Sequence, residues 1–157
     1  MTESLGAQPS TNFTRKVWWD SLLWFYHSTS HDHSAQGLTT TLREASANRI
    51  AHDLRWIFRA SNYWFSFFHF PSFFGNFYDP LRRERMQPSL IYALLAISTF
   101  FQSSEVGWGE AGRERALRFR DEAQAALEAS FASGWIDETL AQSAWVSFPL
   151  LHRRFAV

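Results

Sequence analysis

Between residues 56 and 78 the chain reads WIFRASNYWFSFFHFPSFFGNFY, and twelve of these 23 residues carry an aromatic ring. Each ring removes roughly 150–250 Å² from water when it is buried. An exposed loop cannot hold that much apolar surface, so the stretch belongs to a core or to a large interface. The rest of the chain must supply the cover. With 157 residues it is long enough for one domain, and 46% of them are hydrophobic.

Charge and chemistry narrow the field further. Fifteen basic residues balance fifteen acidic ones, which argues against nucleic-acid binding by this chain on its own, because phosphate contacts need a concentrated basic surface. The chain has no cysteine, so it holds no disulfide, no cysteine nucleophile and no cysteine-based zinc site. The N-terminal residues are polar and show no secretory signal, and the most apolar run, residues 90–101, is too short to span a membrane. The sequence therefore reads as an intracellular chain that neither enters a membrane nor binds nucleic acid directly.

Apolar spacing predicts an all-α fold, a bundle of about five to six helices. Residues 1–14 read as a disordered N-terminus. Trp18, Leu22 and Phe25 share one face of a helix over residues 15–27, with Asp20 opposite. Residues 28–41 read as a polar loop. Ile50, Ala51, Leu54, Ile57 and Phe58 mark one face of a helix over 42–60, with Thr41 as its cap. Pro71 opens a short helix to Tyr78. Residues 79–87 read as a charged connection, in which Arg82, Arg83 and Arg85 make a solvated turn. Pro88 starts a helix to residue 101 or 103 that is apolar nearly all round, and it reads as the central helix, packed on the aromatic stretch. Ala116, Phe119, Ala123, Leu127 and Phe131 form the stripe of a helix over 110–132, which Ser133 and Gly134 end. Asp137 caps a last helix, and Pro149 stops it after about residue 146.

Catalytic and cofactor patterns are weak. Gly107, Gly109 and Gly112 fit the G-x-G-x-x-G pattern, but the dinucleotide fingerprint needs a strand before it and a βαβ unit around it. Here the glycines lie between two helices and read as a turn. His27, His31, Asp32 and His33 are metal-ligand types in a polar segment on which no other ligand converges, and they read as a solvated loop. His52 and Asp53 lie on the exposed flank of their helix, and His69 reads as a core histidine. No nucleophile, base and oxyanion donor can be assembled, so no catalytic, cofactor-binding or metal residue is assigned and no enzyme is expected.

Residues 65–77, FSFFHFPSFFGNF, resemble the histidine–proline–phenylalanine signature of the fungal transcription factor regulatory domain, the middle homology region of zinc binuclear cluster activators. The flanking order is similar too. Residues 18–26, WWDSLLWFY, resemble its opening helix, and 87–100, QPSLIYALLAISTF, the helix after the signature. Residues 112–130 and 135–145 resemble the next two. The resemblance covers about residues 15–146 and leaves 147–157 as a divergent or truncated tail. It implies the N-terminal part of a larger all-α regulatory domain, a nuclear location, and regulation of RNA polymerase II transcription without catalysis. Protein partners, or the remainder of the same domain, would make the contacts, and a small-molecule effector could be sensed. The family's zinc lies in a six-cysteine cluster that this chain lacks, so no cofactor is expected here. The signature residues expected to matter structurally are Trp64, Phe68, His69, Pro71 and Phe74, with Leu94 and Ala96 on the helix that covers them. The alternative is an independent helical module that binds an apolar ligand or a partner helix. A shortened domain would leave apolar faces uncovered, which predicts an aggregation-prone or partly molten chain.

Overall fold

The computed structural model describes residues 11–29, 38–61, 65–105 and 109–152. Among them are seven helices and no strand: α1 Thr11–Thr29, α2 Thr40–Ala60, α3 Phe70–Tyr78, α4 Pro80–Arg83, α5 Pro88–Glu105, α6 Gly109–Ser133 and α7 Glu138–His152. The fold is an all-α bundle, as the apolar spacing predicts. No helix is long and apolar enough to cross a membrane among these residues.

The bundle is built round α5. Leu90, Ile91, Leu94 and Leu95 have no exposed surface, and Ala93 and Ala96 almost none. A helix apolar on every side needs neighbours on every side, and α6, α7, α2 and α1 supply them. Among its described residues the exposure is greatest toward the far end, at Phe101. The central position is therefore as expected, but the partner differs. The aromatic rings gather round Phe58 of α2, and the most extensive packing of α5 is against α6.

Local chemistry explains most helix ends. Thr39, two residues before the expected cap, accepts the Leu42 N–H at 3.2 Å and starts α2. Asp79 ends α3 and accepts from Leu81 N–H at 3.0 Å, which turns part of the expected connection into α4. Gly134, at φ 75°, lets Trp135 N–H reach Ser130 C=O at 2.9 Å and Gly134 N–H reach Phe131 C=O at 3.2 Å. This Schellman turn closes α6 where the glycine predicted it. Asp137 caps α7 by accepting the Leu140 N–H at 3.0 Å.

Two boundaries and one face differ from the expectation. Helix α1 begins at Thr11, inside the segment read as disordered. On α6, Phe131 is exposed and Ser130 is buried. At 100° per residue Ser130 lies about 20° from Phe119, whereas Phe131 lies about 120° away. Helix α7 continues past Pro149 to His152. A proline near a helix end forfeits one backbone bond, and the burial of Val146 and Ser147 in the preceding turn holds the helix together. Residues 147–152 thus belong to α7.

Candidate interaction face and polar centre

The aromatic stretch folds into a shell with an inside and an outside. Phe58 is the hub: Phe65, Phe68, Phe70, Phe73 and Phe74 surround it at centroid distances of 4.7–5.9 Å. These are the offset and edge-on separations that aromatic pairs favour. The Phe68 N–H donates to Phe65 C=O at 2.9 Å, which coils residues 65–68 tightly enough to turn both rings inward. Phe67, between them, is left 43% exposed and meets Trp145 of α7 edge-on at 6.4 Å.

The signature residues divide accordingly. Phe68 is buried and Phe74 half-buried, with the Arg55 guanidinium 5.1 Å above the Phe74 ring. Pro71 is exposed in the first turn of α3. His69 is no core histidine: it is exposed and caps α3, its Nδ1 accepting the Ser72 N–H at 3.3 Å and lying 2.6 Å from Ser72 Oγ. The cause is Pro71. It sets the first helical turn and so places His69 at the cap, where its ring turns back to the helix. Leu94 and Ala96 are buried in α5 and belong to the same core as Phe68. Trp64 lies outside the described residues.

Helix α7 has a second apolar face, which the expectation of a stop at 146 concealed. Leu140, Ser143, Val146 and Ser147 point inward, while Ala141, Ala144, Trp145 and Phe148 are exposed. Their i, i+3, i+4, i+7 spacing would have revealed the stripe once the helix was extended. Trp145 is 69% and Phe148 62% exposed. With Phe67 they make one continuous aromatic surface.

Polar groups lie in two further places. Tyr26 donates its hydroxyl proton to Asp53 Oδ2 at 2.8 Å, and Ser98 Oγ donates to the Asp53 carbonyl at 3.0 Å. Gln102 Nε2 donates to Ser98 Oγ at 2.9 Å. Arg115 lies over the Tyr26 ring at 5.3 Å and donates to Thr29 Oγ1 at 3.3 Å. Asp53 is therefore half-buried and tied to α1 and α5, not on an exposed flank; only its neighbour His52 is. Burial holds the Asp53 carboxyl above the usual carboxylate range, and the Tyr26 hydrogen bond and the Arg115 charge oppose that rise without cancelling it. Burial, then the Asp53 charge, pushes the Tyr26 hydroxyl up as well.

The folded chain thus binds the Asp53 proton more tightly than the unfolded chain does. This carboxyl favours the fold most below its ordinary pKa. The contribution declines as pH rises toward the raised folded value and is constant above it. Asp53→Asn keeps an acceptor for Tyr26 and removes the titration. Its melting temperature is expected to exceed that of the unaltered chain at neutral pH, with the gap closing in acid. Thermal melts of both across that range check this; a gap that does not change with pH contradicts it.

The second place is the α3–α5 connection. Arg82 and Arg85 are exposed, but Arg83 is buried. Its Nε donates to Phe77 C=O at 2.7 Å, its Nη1 reaches Glu44 at 3.4 Å, and its guanidinium covers the Phe77 ring. The expected solvated turn holds for two of the three arginines. Beside it, Asn76, Arg82, Arg85, Asp137 and Glu138 line an open cleft of about 330 Å³.

His27 is buried beside Trp24, on α1 and not in a loop. His31, Asp32 and His33 lie outside the described residues. Among the described residues no three histidine, aspartate or glutamate side chains meet as a metal site. Gly109 opens α6 with φ 57°, and Gly107 and Trp108 lie outside the described residues. The chain matches no protein-family model, no curated protein and no solved structure.

Proposed function

We propose that this chain is a non-enzymatic regulatory module of transcription: all or part of the regulatory domain of a fungal zinc-cluster activator, acting in the nucleus through protein contacts. The observation that carries the reading is the aromatic face formed by Phe67, Trp145 and Phe148. It joins the signature segment to the helix that closes the resemblance, and it stays in water where the bundle could have buried it. Exposed aromatic surface next to a packed core is what a protein-contact site requires. Without cysteine the chain holds no zinc cluster, so another chain or another segment would supply the DNA contact.

An apolar ligand among the rings finds less support. Round Phe58 the described rings pack against this one ring at centroid distances of 4.7–5.9 Å, as a core does. The cleft of about 330 Å³ is lined mainly by charged and polar side chains, unlike the mostly apolar walls of small-molecule sites.

The test is a tethering assay. The chain is fused between a heterologous DNA-binding domain and an activation domain in a fungal reporter strain. Reporter output is expected to change several-fold relative to a fusion carrying an unrelated helical domain of similar size. Output equal to that control, from a fusion shown to be expressed and nuclear, refutes the regulatory reading.

A further inference from the structure

The exposed face of α7 has a property that goes beyond a general contact site: it is complementary to itself. The stripe places two small residues, Ala141 and Ala144, before two large ones, Trp145 and Phe148. We infer that this face pairs with the same face of a second copy, α7 antiparallel to α7 across a two-fold axis that passes between Ala144 and Trp145. In that arrangement Ala144 of one copy lies opposite Trp145 of the other, and Ala141 opposite Phe148. Each ring then meets a methyl group instead of another bulky ring. A two-fold contact needs one patch that serves as both knob and hole, and this order of small and large side chains provides it.

Area and charge agree with a second copy as the occupant. Trp145, Phe148 and Phe67 are 69%, 62% and 43% exposed. At 150–250 Å² per ring this leaves roughly 260–440 Å² of aromatic surface in water. A standard interface takes about 800 Å² from each partner, of which somewhat over half is apolar. The three rings and two alanines come close to that apolar share. The exposed part of α7 has no Lys or Arg, and its one exposed carboxylate, Glu138, lies at the start of the helix. Antiparallel pairing holds the two Glu138 side chains about 20 Å apart along the axis, beyond the Debye length in physiological salt. Parallel pairing would set them side by side. The chain's formal net charge of zero leaves no overall repulsion between copies.

The outward face of α1 is a weaker rival. Phe13, Val17 and Trp24 are exposed there, but exposed Ser21 interrupts the row and Lys16 flanks it.

The inference rests on reading the α7 face as a protein contact and names the partner. Sedimentation velocity of the full chain at micromolar concentration is expected to show a discrete dimer. Trp145→Glu, at a solvent-exposed position, is expected to sediment as a monomer with its helical dichroism unchanged and a melting temperature that, unlike that of the unaltered chain, does not depend on protein concentration. Because the chain has no cysteine, one introduced thiol reports unambiguously. Ala144→Cys should form a disulfide-linked dimer under mild oxidation, while Ala125→Cys, exposed on α6, should not. A monomeric unaltered chain, a Trp145→Glu variant that remains dimeric, or open-ended aggregates in place of a dimer overturns the proposal. A monomer that still alters the reporter overturns the dimer alone and leaves the contact reading in place.

Discussion

Leu94→Asp is expected to abolish the cooperative fold. Leu94 has no exposed surface, and neither do Leu90, Ile91 and Leu95 around it on α5. The substitution removes a leucine side chain, worth about 2–5 kcal/mol in a packed core. It also places a carboxyl group among hydrocarbon with no partner, which costs several kcal/mol more even after the group takes up a proton. Together these approach the roughly 5–15 kcal/mol that holds a whole domain together. The expected readout is loss of the sigmoidal melt and binding of a dye that reports exposed apolar surface. Leu94→Ala should lose only part of the stability and keep a single transition at lower temperature. A Leu94→Asp chain that melts like the unaltered one would show that α5 is not the centre.

Phe58→Ala has the next largest expected effect, a loss of about 3–5 kcal/mol in denaturant unfolding. The reason is the number of rings that share this one neighbour. Phe65 and Phe68 of the turn and Phe70, Phe73 and Phe74 of the adjoining α3 converge on it, so its removal opens a cavity that no single ring can fill. Phe58→Leu, which keeps most of the volume, should cost much less. Similar losses for the two variants would mean that the shell collapses round the gap, and Phe58 would then be one packing residue among many.

Local spacing made the bundle legible. Residues 50, 51, 54, 57 and 58 all face inward as their period predicts. So do Ala116, Phe119 and Ala123 on α6. Gly134 and Asp137 end and start helices through groups within a few residues. What stayed hidden depends on partners far along the chain. Asp53 looks exposed until Tyr26, 27 positions away, is placed beside it. Arg83 looks like a surface arginine until Glu44, 39 positions away, comes within reach. No helical period contains either pairing. The apolar face of α7 is a different case: its spacing is present in the sequence, but Pro149 marks a helix end, and a helix that ends at residue 146 leaves Phe148 out of the stripe.

Gln87 shows how this architecture can and cannot change. It is wholly buried at the start of α5. Its amide donates to the Trp135 carbonyl at 3.0 Å and to Asp137 at 3.4 Å, and it accepts from Ser130 Oγ at 2.6 Å. One side chain thus gauges the distance between the end of α6 and the start of α7. Ile136, within that span, is 67% exposed and free to vary in kind. The number of residues between Ser130 and Asp137 is not, because one inserted or lost residue would strand all three partners of a buried amide. Drift in this turn should therefore occur by replacement and never by a change in length.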